Sequence, residues 1–230
     1  MGEAAGNPTS GVSARPRQFK RMAPDYATEQ EAFWAGEFGD QYIDRNRGAG
    51  LLASNLAFFG KVLEHARDVR SVLEFGANIG LNLDAVARLV PGIELSAIEI
   101  NGKAVAELER RGGIRVYPQS ILDFVPDRPR DLVLTKGVLI HIHPDALADV
   151  YDRLYESSAR YICIAEYYNP SPVEVTYRGH QGRLFKRDFA GEMLDRFPGL
   201  HLLAYGFAYH RDPVFPQDDM TWFLLERAPR

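Results

Sequence analysis

Apolar positions along this chain follow two rhythms. Short runs rich in Val, Ile and Leu recur at 71–75, 93–100, 114–117, 131–135 and 161–165, bounded by Gly, Pro, Asn or Asp. Between them, residues 81–90, 103–111 and 145–157 place apolar side chains three and four apart. Runs of the first kind read as strands buried on both faces, and spacing of the second kind reads as amphipathic helix. Strands alternating with helices predict a parallel sheet covered on both sides, an α/β fold. The punctuation agrees: Pro91-Gly92 stops one helix, Asn101 caps the next, Gly112-Gly113 ends it, and Pro144 opens another.

The pattern changes at both ends. Residues 200–210 and 220–227 read as two long strands with no helix between them, only a connection holding Pro213 and Pro216. A pair so close in sequence has to be antiparallel. Residues 188–197 read as a helix, and 167–186 are polar and aromatic without a period. At the other end, residues 1–23 are rich in Gly, Ala, Pro and Ser and read as a mobile leader. A helical lid is expected over 24–66 and a single core over 67–230, with no repeats and no second domain. Within the lid, Thr28 and Glu31 have capping-box spacing, and 51–66 has helical spacing that would cover one face of the sheet. Residues 33–46 are crowded with aromatics and are expected to lose helical order at Gly36 and Gly39. Phe33 and Phe38 read as packing residues. Tyr42, Arg45 and Asn46 carry polar tips suited to a ligand.

The centre of the pattern is Ser-Val-Leu-Glu-Phe-Gly-Ala-Asn-Ile-Gly-Leu-Asn-Leu, residues 71–83. A strand, a glycine turn and a helix start form a nucleotide-binding corner. Gly76 and Gly80 lack a Cβ and permit close approach of backbone and ligand. The spacing is Glu74-x-Gly76-x-Asn78-x-Gly80, not the G-x-G-x-x-G that seats a pyrophosphate, and no Lys-Ser or Lys-Thr follows. An acid aimed into the turn suits a ligand with a cationic end.

Composition narrows the classes. With 230 residues, 46% of them hydrophobic, the chain has enough material for one full core. A net charge of −4 provides no basic field for a nucleic-acid backbone. Cys163 is the single cysteine, so an intramolecular disulfide is impossible; it reads as a buried strand thiol in a reducing compartment. No apolar run approaches the ~20 residues of a membrane helix, and the first residues lack a signal-type apolar core. The expectation is a soluble, cytoplasmic protein with a small-molecule partner and no metal.

Candidate chemistry clusters after the fourth and fifth strands. His141 titrates near neutrality and suits a general base; the alternative is a cap for the helix at Pro144. His143 is expected to face outward, and His65 to lie on the surface. Lys136 is either solvated or a ligand contact. Tyr167, Tyr168, Asn169, Tyr177, Arg178, His180, Lys186 and Arg187 would make a lid, with the arginines binding an anionic group bidentately. A charged surface loop, with an Arg187–Asp188 pair and Asp188 as a helix cap, is the other reading.

The glycine corner resembles the first motif of class I S-adenosylmethionine (SAM)-dependent methyltransferases. The antiparallel tail resembles their seven-stranded sheet, which implies a Rossmann-like fold with strand order 3-2-1-4-5-7-6, strand 7 antiparallel. Longer strings resemble one narrower family, the pseudaminic acid biosynthesis-associated methylases. They are Phe33-Trp34…Gly36-Glu37-Phe38-Gly39…Tyr42…Arg45-Asn46, residues 73–82, residues 135–141, Ala165-Glu166-Tyr167-Tyr168-Asn169-Pro170, and Tyr177-Arg178-Gly179…Leu184 to Phe189. The resemblance implies SAM as cofactor and S-adenosylhomocysteine (SAH) as product. Glu74, Gly76, Asn78 and Gly80 would hold the cofactor's amino-acid end, and Glu99 its ribose. Ser120 and Ile121 would meet adenine, although many relatives carry Asp at that place. Lys136, Tyr42 and Arg45 would complete the cofactor site. His141 and Tyr168 would be catalytic. Trp34, Tyr167, Asn169, Arg178, His180 and Arg187 would line the acceptor site, for an anionic sugar of a nonulosonic-acid pathway. An amine, indole or phosphonate acceptor is the alternative. A nicotinamide-dependent oxidoreductase and a non-catalytic SAM-binding module are the competing classes.

Overall fold

The computed structural model describes residues 26–45 and 48–228; the expected leader and Asn46 lie outside the described residues. Seven strands form one sheet: β1 Ser71–Phe75, β2 Glu94–Glu99, β3 Ile114–Pro118, β4 Arg130–Lys136, β5 Ser158–Glu166, β8 Leu200–Ala208 and β9 Met220–Arg227. Their order is β3-β2-β1-β4-β5-β9-β8. Parallel register runs through the centre, with Val72 opposite both Leu95 and Leu132. β9 is antiparallel to both its neighbours, β5 and β8. This is the expected order. The two extra strands in the numbering, β6 Val173–Glu174 and β7 Phe185–Lys186, pair with each other outside the sheet.

Every residue of β1 is buried, and successive side chains face opposite layers. Val72 joins Phe59, Val62, Leu83, Val86 and Leu108 on the side of α3 Ala49–Leu63, α4 Leu81–Leu89 and α5 Gly102–Arg111. Leu73 and Phe75 join Tyr151, Leu154, Phe189 and Met193 on the side of α6 Leu147–Ser157 and α7 Phe189–Arg196. Cys163 is buried in the first of these layers. No helix among the described residues is long and apolar enough to cross a membrane.

The lid consists of α1 Glu29–Ala35 and α2 Glu37–Arg45. Thr28 and Glu31 complete the capping box in both directions. Gly36 ends α1 as expected, but Gly39 does not break α2. It sits where a Cβ would collide with the Trp34 carbonyl and the Asn101 amide, so it is a packing glycine. The helix expected from Pro144 starts as a single 3-10 turn, Pro144–Ala146, before α6. Its cap is His143, whose Nδ1 accepts from the Asp145 N–H at 3.2 Å, and not His141.

Candidate functional site

A cavity of about 560 Å³ opens at the carboxyl ends of β1, β2 and β4, roofed by α1 and α2. This is the switch-point crevice where open parallel sheets bind ligands. Gly76 and Asn78 both take left-handed backbone, φ 71° and 48°, and bend the chain away from β1 along the cavity wall. A Cβ on Gly76 would come within 2.8 Å of Val138, which closes the wall from the β4 side.

Glu99 ends β2 and faces this cavity. One carboxylate oxygen accepts from the Asn78 N–H at 2.7 Å and the other from the Asn101 N–H at 2.8 Å. The carboxylate therefore ties the β1 turn to the cap of α5. Burial pushes its pKa up, against the downward pull of the Asn101, Asn78 and Ile100 N–H groups. Asn101 does more than cap. Its Oδ1 accepts from the Ala104 N–H at 3.0 Å, while its Nδ2 donates to Asp40 at 2.8 Å and to the Trp34 carbonyl at 3.2 Å. One side chain thus fastens the lid to the helix beside Glu99.

Two residues of the expected glycine motif have other duties. Glu74 lies beneath the turn instead of in the cavity wall; Asn82, which does line the cavity, donates to its Oε1 at 2.6 Å. Its Oε2 is buried without a partner among the described residues, and burial raises its pKa to about 8. Gly80 also lies off the cavity. A Cβ there would meet Leu108 at 2.8 Å, so this glycine serves the packing of α4 on α5. Ser120 is buried and donates its hydroxyl to Glu31 of the lid, leaving Ile121 beside it in the wall.

Lys136 is half-buried in the cavity wall, its ammonium 5.6 Å from the Phe58 ring centre and 3.4 Å from Asn55 Oδ1. Burial pulls its pKa down, opposed by the charges of Glu74, Asp218 and Glu166. It is not the solvated side chain of the alternative reading.

Glu166, at the end of β5, fixes the loop after β4. Its carboxylate accepts from the N–H groups of Val138 (3.0 Å), Leu139 (3.0 Å) and Ile140 (3.4 Å) and from the Thr135 hydroxyl (3.2 Å). Three successive amides converging on one acid hold the turn that carries His141. Even so, burial leaves the Glu166 pKa at about 7. His141 is buried and lines the cavity, with its ring 4.6 Å from Trp34 and 4.9 Å from Tyr177. Burial pushes its pKa down to about 4, with only the Arg183 carbonyl pulling upward.

The remaining candidates divide. Trp34, Tyr42, Arg45, Tyr167 and Arg178 line the cavity beside His141. Tyr168, expected to be catalytic, does not: it is exposed, lies off the cavity wall and packs near Phe223, 6.1 Å between ring centres. Asn169 also lies off the cavity, and its amide donates to the Ser171 carbonyl. Arg187 pairs with Glu192 of α7 at 2.6 Å, not with Asp188, which caps that helix through the Gly191 N–H. His180 is an exposed ring on Phe33 and Phe38, outside the cavity wall. Asn55, Gln217 and Asp218 line the cavity although their sequence surroundings gave no signal.

No family model matches this sequence, and no curated protein matches it. Solved structures share its fold. The 1,6-didemethyltoxoflavin-N1-methyltransferase of Burkholderia thailandensis, solved with 1,6-didemethyltoxoflavin and SAH, has a TM-score of 0.63 at 15% identity over 86% of this chain and 87% of that one. Magnesium protoporphyrin IX methyltransferase from Synechocystis PCC 6803, with bound SAM, has a TM-score of 0.60 at 14% identity, covering 87% of this chain and 98% of that one. The glycopeptide N-methyltransferase MtfA, complexed with SAH, has a TM-score of 0.60 at 14% identity, covering 84% and 98%. The chain has the Rossmann-like class I methyltransferase fold.

Proposed function

We propose that this protein is a SAM-dependent methyltransferase acting on a small molecule. The observation that carries the reading is Glu99, a carboxylate in the crevice wall braced by two backbone N–H groups beside the Gly76 turn. The donor set fits SAM. Glu99 would accept from the ribose hydroxyls, and Ile100, Ile121 and Ile142 offer an apolar slot for a flat base. The Gly76–Asn78 turn and Lys136 would hold the amino-acid end. When bound, SAM supplies a methyl group already activated on a sulfonium, so the protein's main task is alignment, worth ~7–11 kcal/mol in well-oriented reactions. His141 stands neutral in the cavity wall and would take a proton from an acceptor that has one to lose.

A nicotinamide cofactor fits less well. Its pyrophosphate would need the N–H groups of the β1 turn, and the Asn78 N–H is already given to a carboxylate. An anionic sugar is the narrower acceptor that the sequence resemblance adds. Calorimetry of the full chain with SAM, SAH and NAD tests the cofactor. Incubation with SAM and nonulosonic acids or aromatic amines, with mass detection of a methyl gain, tests the acceptor. SAM binding without NAD binding supports the reading, and the reverse sinks it.

A further inference from the structure

Three aromatic rings stand in a row along the cavity wall under the lid. Tyr42 meets Trp34 edge-on at 5.2 Å, and Trp34 meets Tyr177 at 6.4 Å. A guanidinium sits at each end of the row: Arg45 lies 5.9 Å from the Tyr42 ring centre, and Arg178 lies 5.8 Å from that of Tyr177. All five residues line the cavity. Among the described residues neither arginine has an ion pair with a carboxylate. Two other arginines near the cavity are committed: Arg183 bonds Glu29 and Arg187 bonds Glu192.

Arg178 also occupies an unusual backbone position. Tyr177 and His180 exchange both backbone hydrogen bonds, at 2.8 and 2.9 Å, around a two-residue turn. The central residues, Arg178 and Gly179, have φ of 49° and 87°. A turn with positive φ at both centres belongs to Gly, Asn or Asp. An arginine there is strained, and strain of this kind concentrates where a ligand is gripped.

Resting on the methyl-transfer reading of the cavity, we propose that Arg45 and Arg178 form a two-guanidinium clamp for a carboxylate or phosphate on an acceptor with a flat apolar body. The rings would carry the body, and the arginines would take the anion bidentately. Arg45 also lies 5.3 Å from the Phe38 ring centre, itself 5.9 Å from the Tyr177 ring that Arg178 covers, so the two guanidinium groups flank one patch of rings, and both charges bear on the Tyr42 hydroxyl. Asp218 also faces Tyr42 and Tyr167, and it is engaged by the Tyr167 hydroxyl. Of the charged side chains acting on Tyr42, two are cationic and one is anionic.

Calorimetric titration of the full chain with benzoate, phenyl phosphate and neutral benzamide tests the clamp, with SAH titrated separately. At least one of the two anions should bind tenfold or more tightly than benzamide. Arg45→Gln and Arg178→Asn should each remove most of that preference, and Arg178→Asn, on the acceptor side, should leave SAH affinity within about twofold. Arg178→Asn should be at least as stable to heat as the parent, because asparagine relieves the turn. Equal binding of anion and amide, or an anion preference untouched by both substitutions, overturns the clamp. Loss of thermal stability in Arg178→Asn overturns the strain argument. Failure of SAH to bind the parent chain condemns the cofactor reading instead, a result read independently of the anion titrations.

Discussion

His141 Nδ1 lies 2.5 Å from the carbonyl oxygen of Arg183, in the loop that leads into β7. A carbonyl only accepts, so Nδ1 carries the proton and the lone pair of the neutral ring belongs to Nε2. With burial holding its pKa near 4, His141 stays neutral across the physiological range. If it is the general base, the acid limb of the rate profile falls near pH 4 and not near 6.5. His141→Gln then costs ~10²–10⁴ in turnover, with SAM affinity little changed. Steady-state rates from pH 4 to 9 on both proteins check this; an unaltered rate leaves alignment as the whole mechanism.

Glu166 is the anchor of the same loop, and its loss exposes the fold as well as the chemistry. Glu166→Ala would orphan the Val138, Leu139 and Ile140 amides in a dry interior. Hydrogen bonds to a charged group contribute about 1.5–3 kcal/mol each and do not simply add. A net cost of about 3 kcal/mol is expected, lowering the melting midpoint by roughly 6–12 °C. Thermal unfolding by circular dichroism measures it, and a shift below about 2 °C would mean the amides find other partners.

Glu74 predicts the direction of the pH dependence. Its pKa is about 8 in the folded protein against an ordinary 4.5, so the folded state holds the extra proton. That stabilisation is complete below about pH 4.5 and is lost as pH rises through 8, about 5 kcal/mol in all. Glu166, with a folded pKa of about 7, contributes in the same direction; it is half titrated at pH 7 and its share is lost by about pH 8. His141 opposes both below pH 6.5, because the unfolded chain takes up its proton first. Denaturant unfolding between pH 7 and 8.5 is dominated by Glu74: stability should fall with rising pH in the parent and much less steeply in Glu74→Gln, where only the end of the Glu166 titration remains. Parallel curves would show that Glu74 is already ionised at neutral pH.

What the sequence made legible follows the range over which each force acts. The strands and the helix caps at Thr28, Asn101 and Asp188 rest on periodicity and on bonds three residues long, whereas the strand order came with the resemblance to the class I methyltransferase sheet. Glu99 was legible because a strand end at the switch point is a fixed place in a parallel sheet. Glu74 and Gly80 were placed correctly at the β1 turn, but neither lines the cavity, because no local rule says whether space beside a glycine belongs to a ligand or to Leu108. The loop after β5 had no period to read, and its two-residue strands exist only through pairing. Tyr168, Asn169 and Arg187 therefore looked equivalent to Tyr167 and Arg178, although the loop turns the first three away. Asn55, Gln217 and Asp218 reach the cavity from remote segments, a convergence that only three dimensions display.

Calorimetric titration of SAM into the full chain and into Glu99→Gln is the most direct test of the central claim. The parent should bind SAM. The amide, with a donor group where Asn78 and Asn101 need an acceptor and only one oxygen left for the ribose, should bind at least tenfold more weakly. Equal affinity for the two proteins would remove Glu99 from the cofactor site and contradict the account.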